Sequence, residues 1–269
     1  MGVSVLTSRN LNTMTTNPAD SGRNSGLAVG VDVGGSSIKC ALIDLATGEF
    51  TSERWSVPTP AQASTAALLD AIAAAVANIP GDHPVGLAFP SVITRGTIRT
   101  AAHLNKEWIG QPLAALATER LGRGVIAIND ADAAGLAELH FGAAKDVSGT
   151  VLLLTLGTGI GSALFIDGHL VPNTELGHLQ VGGREAELRA AARIKTEENL
   201  SWDAWILELN AVIGEMQSLL WPDLIVLCGG ITEEPENFMP KLRCPAPVRV
   251  GALRSGAGIV GAALATALA

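Results

Sequence analysis

VDVGGSSIKCALID, residues 31–44, sets two apolar, β-prone runs about a turn of Gly34, Gly35, Ser36 and Ser37. Asp32 precedes the turn and Lys39 follows it. This combination suits a phosphate chain with a metal ion. Glycines leave successive backbone N–H groups open to an anion, as in a nest. Asp32 can hold Mg²⁺ through water, and Lys39 can reach a phosphate. Taken alone, the turn reads equally as a hairpin with solvated serines. Working outward, LAVGVDV (27–33), IKCALID (38–44) and FTSERWSV (50–57) predict an antiparallel meander.

The same unit returns further along. TVLLLTLG (150–157), the turn TGIG and SALFIDG (162–168) again read strand, glycine turn, strand. Two such units imply two related domains facing each other. A third glycine cluster, Gly229-Gly230, ends the strand DLIVLCGG (223–230). No GxxxxGK[ST] motif is present, and LGTGIG lacks the strand-before, helix-after context of a dinucleotide fingerprint. Three glycine clusters at strand ends, with Gly157, Thr158 and Gly159 opposite Gly34 and Gly35, can instead clamp a phosphate chain from both sides of a cleft.

Between these units strands alternate with helices. AQASTAALLDAIAAAVANI (61–79) is helical by propensity and stops at Pro80-Gly81. VGLAFP (85–90) and VIAIND (125–130) are strands, and 111–121 and ADAAGLAELHFG are helices. A helix is expected near 184–196 and a long one over 202–220. In the long one Trp202, Trp205, Ile206, Leu209, Val212, Ile213, Met216, Leu219 and Leu220 form one apolar stripe that reads as core. SGAGIVGAALATALA closes the chain as a helix of small residues able to pack closely on a sheet. The pattern is α/β with a mostly parallel sheet. The expected division is a flexible tail (1–26), a small N-terminal domain (27–129) on which the closing helix 256–269 packs back, and a larger domain (130–255).

Composition narrows the function. The 269 residues are 48% hydrophobic and 16% charged, enough for one or two domains with a real core. The net charge of −8 argues against a nucleic-acid partner, which needs a basic face. Three scattered cysteines, Cys40, Cys228 and Cys244, make neither a disulfide framework nor a zinc site, and suit a reducing cytoplasm. The polar first 25 residues lack the apolar region of a signal peptide, and no membrane span is expected.

Chemistry-bearing residues cluster at the loops. NDAD (129–132) lies between a strand and a helix, where α/β ligands bind. Asp130 can take a proton from a substrate hydroxyl; Asp130 or Asp132 can equally cap the helix. Both roles can coexist, with Asp132 as the cap. NTELGH (173–178) carries Glu175 and His178, Glu187 follows, and HLNKEWIG (103–110) carries Asn105. Carboxylate, imidazole and amide groups match a polyhydroxyl ligand, whose hydroxyls both donate and accept. His83, His140 and His169 lack such company and read as structural, as does His103 with less force. Arg95, Arg99, Lys106, Arg184, Arg189, Arg193 and Lys195 are candidates for a local basic track.

In this order VDVGGSSIK, HLNKEWIG, INDADAAGLAE, LTLGTGIGSAL, ELGH, SWDAWILELN, LIVLCGGI and LRSGAGIVGAA resemble the ROK family of sugar kinases and repressors. Within it they are similar to the actinobacterial polyphosphate glucokinases and glucomannokinases. The resemblance implies an actin-like (ribonuclease-H-like) two-domain fold with the active site in the interdomain cleft. It implies phosphorylation of a sugar 6-hydroxyl, and commonly a homodimer. Carried over, Asp130 is the general base, and Asn105, Asn129, Glu175, His178 and Glu187 hold glucose or a similar hexose. Asp32 holds Mg²⁺. Gly35, Ser36, Ser37, Lys39, Thr158 and Gly159 hold phosphates of polyphosphate or ATP, and Cys228 to Ile231 lie near any adenosine. Most of the family follow ELGH with a cysteine cluster that binds zinc. Here LQVGGREAELRAAARIK contains no cysteine, so no zinc is expected, and the polyphosphate-using branch is favoured. The roughly 26 residues before the first strand are too few for a repressor's DNA-binding part. Two alternatives stay open: a strictly ATP-dependent hexose kinase, and a non-catalytic sugar sensor.

Overall fold

The computed structural model describes residues 26–61, 64–101 and 105–268, so the N-terminal tail and His103 lie outside it. The first half contains β1 (Leu27–Val33), β2 (Ser37–Asp44), β3 (Trp55–Pro58), α1 (Thr65–Val76), β4 (Val85–Phe89), β5 (Ile93–Thr94), β6 (Thr97–Ile98), α2 (Leu113–Leu121), β7 (Val125–Asn129) and α3 (Asp130–Phe141). The second contains β8 (Thr150–Leu156), β9 (Ile160–Ile166), β10 (His169–Val171), β11 (Gln180–Val181), β12 (Arg184–Glu185), α4 (Ala186–Ala190), α5 (Ala192–Glu197), α6 (Trp202–Leu220), β13 (Leu224–Cys228), β14 (Val248–Val250) and α7 (Ala257–Leu268).

Two five-stranded sheets run β3-β2-β1-β4-β7 and β10-β9-β8-β13-β14. The sequence repeat is therefore a repeat of topology. In each sheet an antiparallel hairpin (β1/β2, β8/β9) is followed by two parallel neighbours. Each hairpin is closed at its glycine turn, Gly34 N–H donating to Ser37 O across a four-residue loop and Gly157 N–H to Gly159 O across a three-residue loop, each at 3.0 Å.

The period-2 alternation of a strand sorts side chains between layers. On β1, Val29, Val31 and Val33 face α1 and α2, in a core with Leu68, Ile72, Leu113 and Leu87. Ala28 faces the other way, into a central core shared with α3, α7 and the second sheet. On β8, Leu152, Leu154 and Leu156 pack under α6, and Val151 and Leu153 face the central core. The result is five layers, with α3 and α7 between the sheets. Asp32 shares the inner face with Ala28 and Gly30. Thr155, two residues before Gly157, is its counterpart in the second half.

Small residues bring the central layers together. A β-carbon at Gly30 would overlap the Ile259 carbonyl of α7, one at Gly86 the Ala262 carbonyl, and one at Gly261 the Ala133 carbonyl of α3. Glu138, fully buried, locks the far end. Its carboxylate accepts from the N–H groups of Ala143 (2.7 Å), Ala252 (2.9 Å) and Leu253 (2.8 Å).

Several expected elements differ. The strand over 50–57 is only β3, with Phe50 making a lone bridge to Ile43. The helix over 184–196 is instead β12, α4 and α5, because Ala191 is extended (φ −58°, ψ 148°). Leu219 is exposed at 59%, off the buried stripe of α6, and Cys244 is only partly buried. Among the described residues no helix is long and apolar enough to cross a membrane.

Gly86→Ala places a methyl where the α7 backbone runs, so it should cost more than the roughly 1–3 kcal/mol of ordinary overpacking. The expected outcome is a melting temperature lowered by at least about 5 °C, or no soluble protein. Melting within about 2 °C of wild type would contradict the close packing of α7 on β4.

Candidate active site

Asn129 ends β7 and caps α3. Its Oδ1 accepts from the N–H groups of Ala131 (2.9 Å) and Asp132 (3.0 Å), while its Nδ2 donates to Ser91 O (3.2 Å). This corrects the expectation that Asp132 is the cap. The second Nδ2 hydrogen has no partner among the described residues, so Asn129 both supports Asp130 and keeps one donor for a ligand in the cavity it lines. Asp130 begins the helix and points into the space between the sheets.

Asp32, Gly34, Gly35, Asn105, Asn129, Asp130, Gly157, Thr158, Gly159, Glu175, His178, Glu187 and Gly229 line one cavity of about 360 Å³. Thr59, Ser91, Thr100, Thr155 and Thr174 also line it. A neighbouring cavity of about 320 Å³ shares Asp32, Asp130, Thr155 and Gly229, and is lined also by Lys39, Gly230 and Arg254. Ser36 and Ser37 line neither cavity. Their carbonyls are used locally, Ser36 O accepting from Thr59 N–H and Ser37 O from Gly34 N–H.

Each glycine loop is held from outside. Thr59 Oγ1 donates to Gly34 O (2.6 Å), and Arg193 N–H donates to Gly157 O (3.1 Å). Gly35 and Thr158, at the tips, make no hydrogen bond within the described chain and face the cavity from opposite sheets. Asn105 uses Oδ1 to accept from Glu107 N–H (3.1 Å), leaving its Nδ2 available.

Arg95, Arg99, Lys106, Arg184, Arg189, Arg193 and Lys195 line neither cavity. Arg184 pairs with Glu198 (3.0 Å), Arg189 with Glu208 (2.7 Å) and Arg193 with Glu197 (4.0 Å), and Lys195 lies over the Trp202 ring (4.4 Å to its centroid). The cations at the cavities are Lys39, facing Asp32 across the hairpin, and Arg254, with φ 51°, bonded to Thr232 O (3.1 Å) and Glu233 (3.3 Å). Arg254 sits inside the LRSGAG run, where its position at the head of α7 carried no signal of its own.

The acidic groups perturb one another. Burial pushes Asp130 up to about 7, helped by Asp32 and Glu175 and opposed by the Ala131 N–H. Asp32 is raised by burial, partly offset by Lys39. Glu175 is raised by burial, and His178 counters that rise. Asp132, 1% exposed, is also pushed up to about 7 by burial, against the Asn173 N–H bonded to its Oδ2 (2.8 Å). Its Oδ1 has no partner. Asn173 then grips the first half of the chain, its side chain accepting from Ile93 N–H (2.8 Å) and donating to Ile93 O (2.9 Å). One helix thus presents Asp130 and anchors the loop bearing Glu175 and His178.

Asp132 supplies a stability test. Its folded-state pKa lies above its ordinary value of 3.8, so the folded state holds more protons between about 4 and 7. Stability from this group is present at low pH and lost as pH rises through about 7, by up to roughly 1.4 kcal/mol per pH unit. Relative to wild type, Asp132→Asn should gain melting temperature between pH 5 and pH 8. Parallel curves would contradict the raised value.

Comparison with known proteins agrees with this architecture. Residues 28–191 match the ROK family model. The chain is 44% identical over 238 residues to a polyphosphate glucokinase of Mycobacterium tuberculosis, covering 88% of this chain and 90% of that one. It is 42% identical to the Mycobacterium leprae polyphosphate glucokinase, covering 88% of this chain and 74% of that one. It is similar in structure to the inorganic polyphosphate/ATP-glucomannokinase of Arthrobacter sp. strain KM, with TM-score 0.87, 44% identity, and 90% and 98% of the two chains covered. It is also similar to a ROK family glucokinase from Streptomyces griseus in complex with glucose and AMPPNP, with TM-score 0.76, 25% identity, and 88% and 98% covered. With its paired sheets, two glycine hairpins and intersheet cleft, the fold is the actin-like fold of these sugar kinases, and the chain belongs to the ROK family.

Proposed function

We propose that the protein transfers the terminal phosphoryl group of inorganic polyphosphate or ATP to the 6-hydroxyl of glucose, with mannose a further acceptor. The observation that carries the reading is Asp130: a carboxylate pushed up to about 7, in a cavity lined by unpartnered glycine-loop residues from both sheets and by Asn105, Glu175, His178 and Glu187. A base with a pKa near the working pH is half in its active form and still a competent acceptor. The likeness to polyphosphate glucokinases and to a polyphosphate/ATP-glucomannokinase supports both donors.

The sugar binds against Asn105, Glu175, His178 and Glu187, with its 6-hydroxyl at Asp130. The hydroxyl oxygen attacks the terminal phosphorus, the donor's phosphoanhydride P–O bond breaks, and Asp130 takes the hydroxyl proton. The leaving group is ADP or a polyphosphate one unit shorter. Backbone N–H groups at Gly35 and Thr158, with Lys39, oppose charge on the transferring group, the largest source of rate in such transfers. Closure of the two halves about the cleft keeps water from the donor.

Asp32 fits a magnesium ion. Its carboxylate accepts no hydrogen bond within the described chain and faces the cavity beside Asp130. When bound there through water, the ion supplies charge neutralisation on the donor phosphates. The same reading carries a cytoplasmic location, suited to free thiols at Cys40, Cys228 and Cys244, and a homodimer.

Asp130→Asn keeps the shape and removes the base. Turnover with either donor should fall about 10²–10⁴-fold, with glucose affinity by calorimetry within a few-fold. Turnover within about tenfold of wild type would show that Asp130 is not the base.

A further inference from the structure

His178 lines the cavity from the short turn Leu176–His178. Its Nδ1 lies 3.1 Å from Glu185 Oε2, and its Nε2 lies 3.9 Å from Glu175 Oε2. Glu185 itself does not line the cavity, whereas Glu187, two residues on, does. The imidazole therefore has one nitrogen engaged behind the wall and the other on the sugar side.

The Glu185 side is framed. β11 and β12 form a hairpin in which Gln180 faces Glu185, turned by Gly182 and Gly183 at φ 57° and 81°. Ala186 N–H donates to Leu179 O (2.9 Å), and Arg189 Nη1 donates to Val181 O (2.8 Å). At Gly177, a β-carbon would overlap the Ile160 carbonyl, which fixes the His178 turn against β9. Ring and carboxylate are thus each held by backbone before they meet.

We propose that Glu185 is a positioning residue for the sugar site, holding the His178 ring plane and keeping a proton on Nδ1 so that Nε2 faces a sugar hydroxyl. The chemistry follows from the two ring nitrogens. A carboxylate at Nδ1 accepts only, so that nitrogen must donate. In the neutral ring Nε2 is then an acceptor; in the charged ring it becomes a donor. The Glu185 hydrogen bond is the leading cause that raises the pKa of His178, with burial opposing it and Glu187 and Glu175 adding to the rise.

Magnitudes separate this role from a purely structural one. The pair is well exposed, at 49% and 35% of the side chains, and an exposed pair contributes about 0–1 kcal/mol to stability. Misplacing a binding group by about 1 Å can cost about 10²-fold in activity. Loss of Glu185 should therefore barely move the melting temperature while weakening the sugar site.

The inference rests on the cavity being a sugar site, so glucose binding is measured by calorimetry beside turnover, for wild type, Glu185→Ala and Glu185→Gln. The expected result is a KM and Kd for glucose at least about tenfold higher in E185A, with the donor KM unchanged and melting within about 2 °C. E185Q, which keeps an acceptor oxygen, falls between. Nitrogen NMR of the labelled imidazole shows His178 protonated at Nδ1 in wild type and losing that preference in E185A. Glucose binding within twofold of wild type in E185A overturns the inference, as does a joint loss of both substrates' KM and of stability. A stoichiometric metal ion retained at His178 through chelator dialysis also overturns it. Absence of glucose binding in wild type instead sinks the sugar-site reading itself.

Discussion

The close approach of α7 to the first sheet and to α3 is the constraint on which the site depends. It requires bare backbone at Gly30, Gly86 and Gly261, because a β-carbon at any of them would overlap a carbonyl of the facing element. With those contacts made, the two central helices lie between the sheets with their N-terminal ends at the mouth of the cleft. The Asp32 carboxylate then lies against the first turn of α7, its Cγ 2.9 Å from where a β-carbon of Gly258 would stand. Asp130 opens α3 into the same space. Helix N-termini favour negative charge, so the fold offers the partial positive charge that lets two carboxylates face one cavity.

That arrangement is electrostatically costly. Asp32, Asp130, Asp132 and Glu175 are all raised, burial being the largest cause for each. Asp130, pushed up to about 7, is suited to take a proton near neutrality. The cations at the cavities are few, and Arg184, Arg189 and Arg193 each lie within 4.0 Å of a glutamate. Lys39 and Arg254 are the basic side chains that line these cavities among the described residues.

Much of this was legible in the sequence, for identifiable reasons. Two-residue alternation in LAVGVDV and TVLLLTLG marks strands, and the recurrence of hairpin and glycine turn marks the duplicated half. What failed was what depends on distant partners. The helical propensity of REAEL (184–188) does not carry through to residue 196, because the chain extends at Ala191, with Ala190 and Ala191 packed under α6. The cap of α3 went to Asn129 since its side chain also reaches Ser91, 38 residues away. Glu185 carries no signal of its own in the sequence, because only the β11–β12 hairpin brings it to His178. Whether an arginine is free for phosphate depends on which glutamates the folded chain sets beside it, and spacing along the chain does not encode that.

Transfer of a phosphoryl group from a polyphosphate or nucleotide chain to a sugar hydroxyl in the intersheet cleft has a direct readout. Phosphorus NMR of the wild-type protein with glucose and magnesium, once with long-chain polyphosphate and once with ATP, tests it most directly. A growing glucose 6-phosphate signal is expected with both donors, as terminal phosphates of the donor are consumed. Release of inorganic phosphate alone, or no sugar phosphate with either donor while glucose still binds, would contradict it.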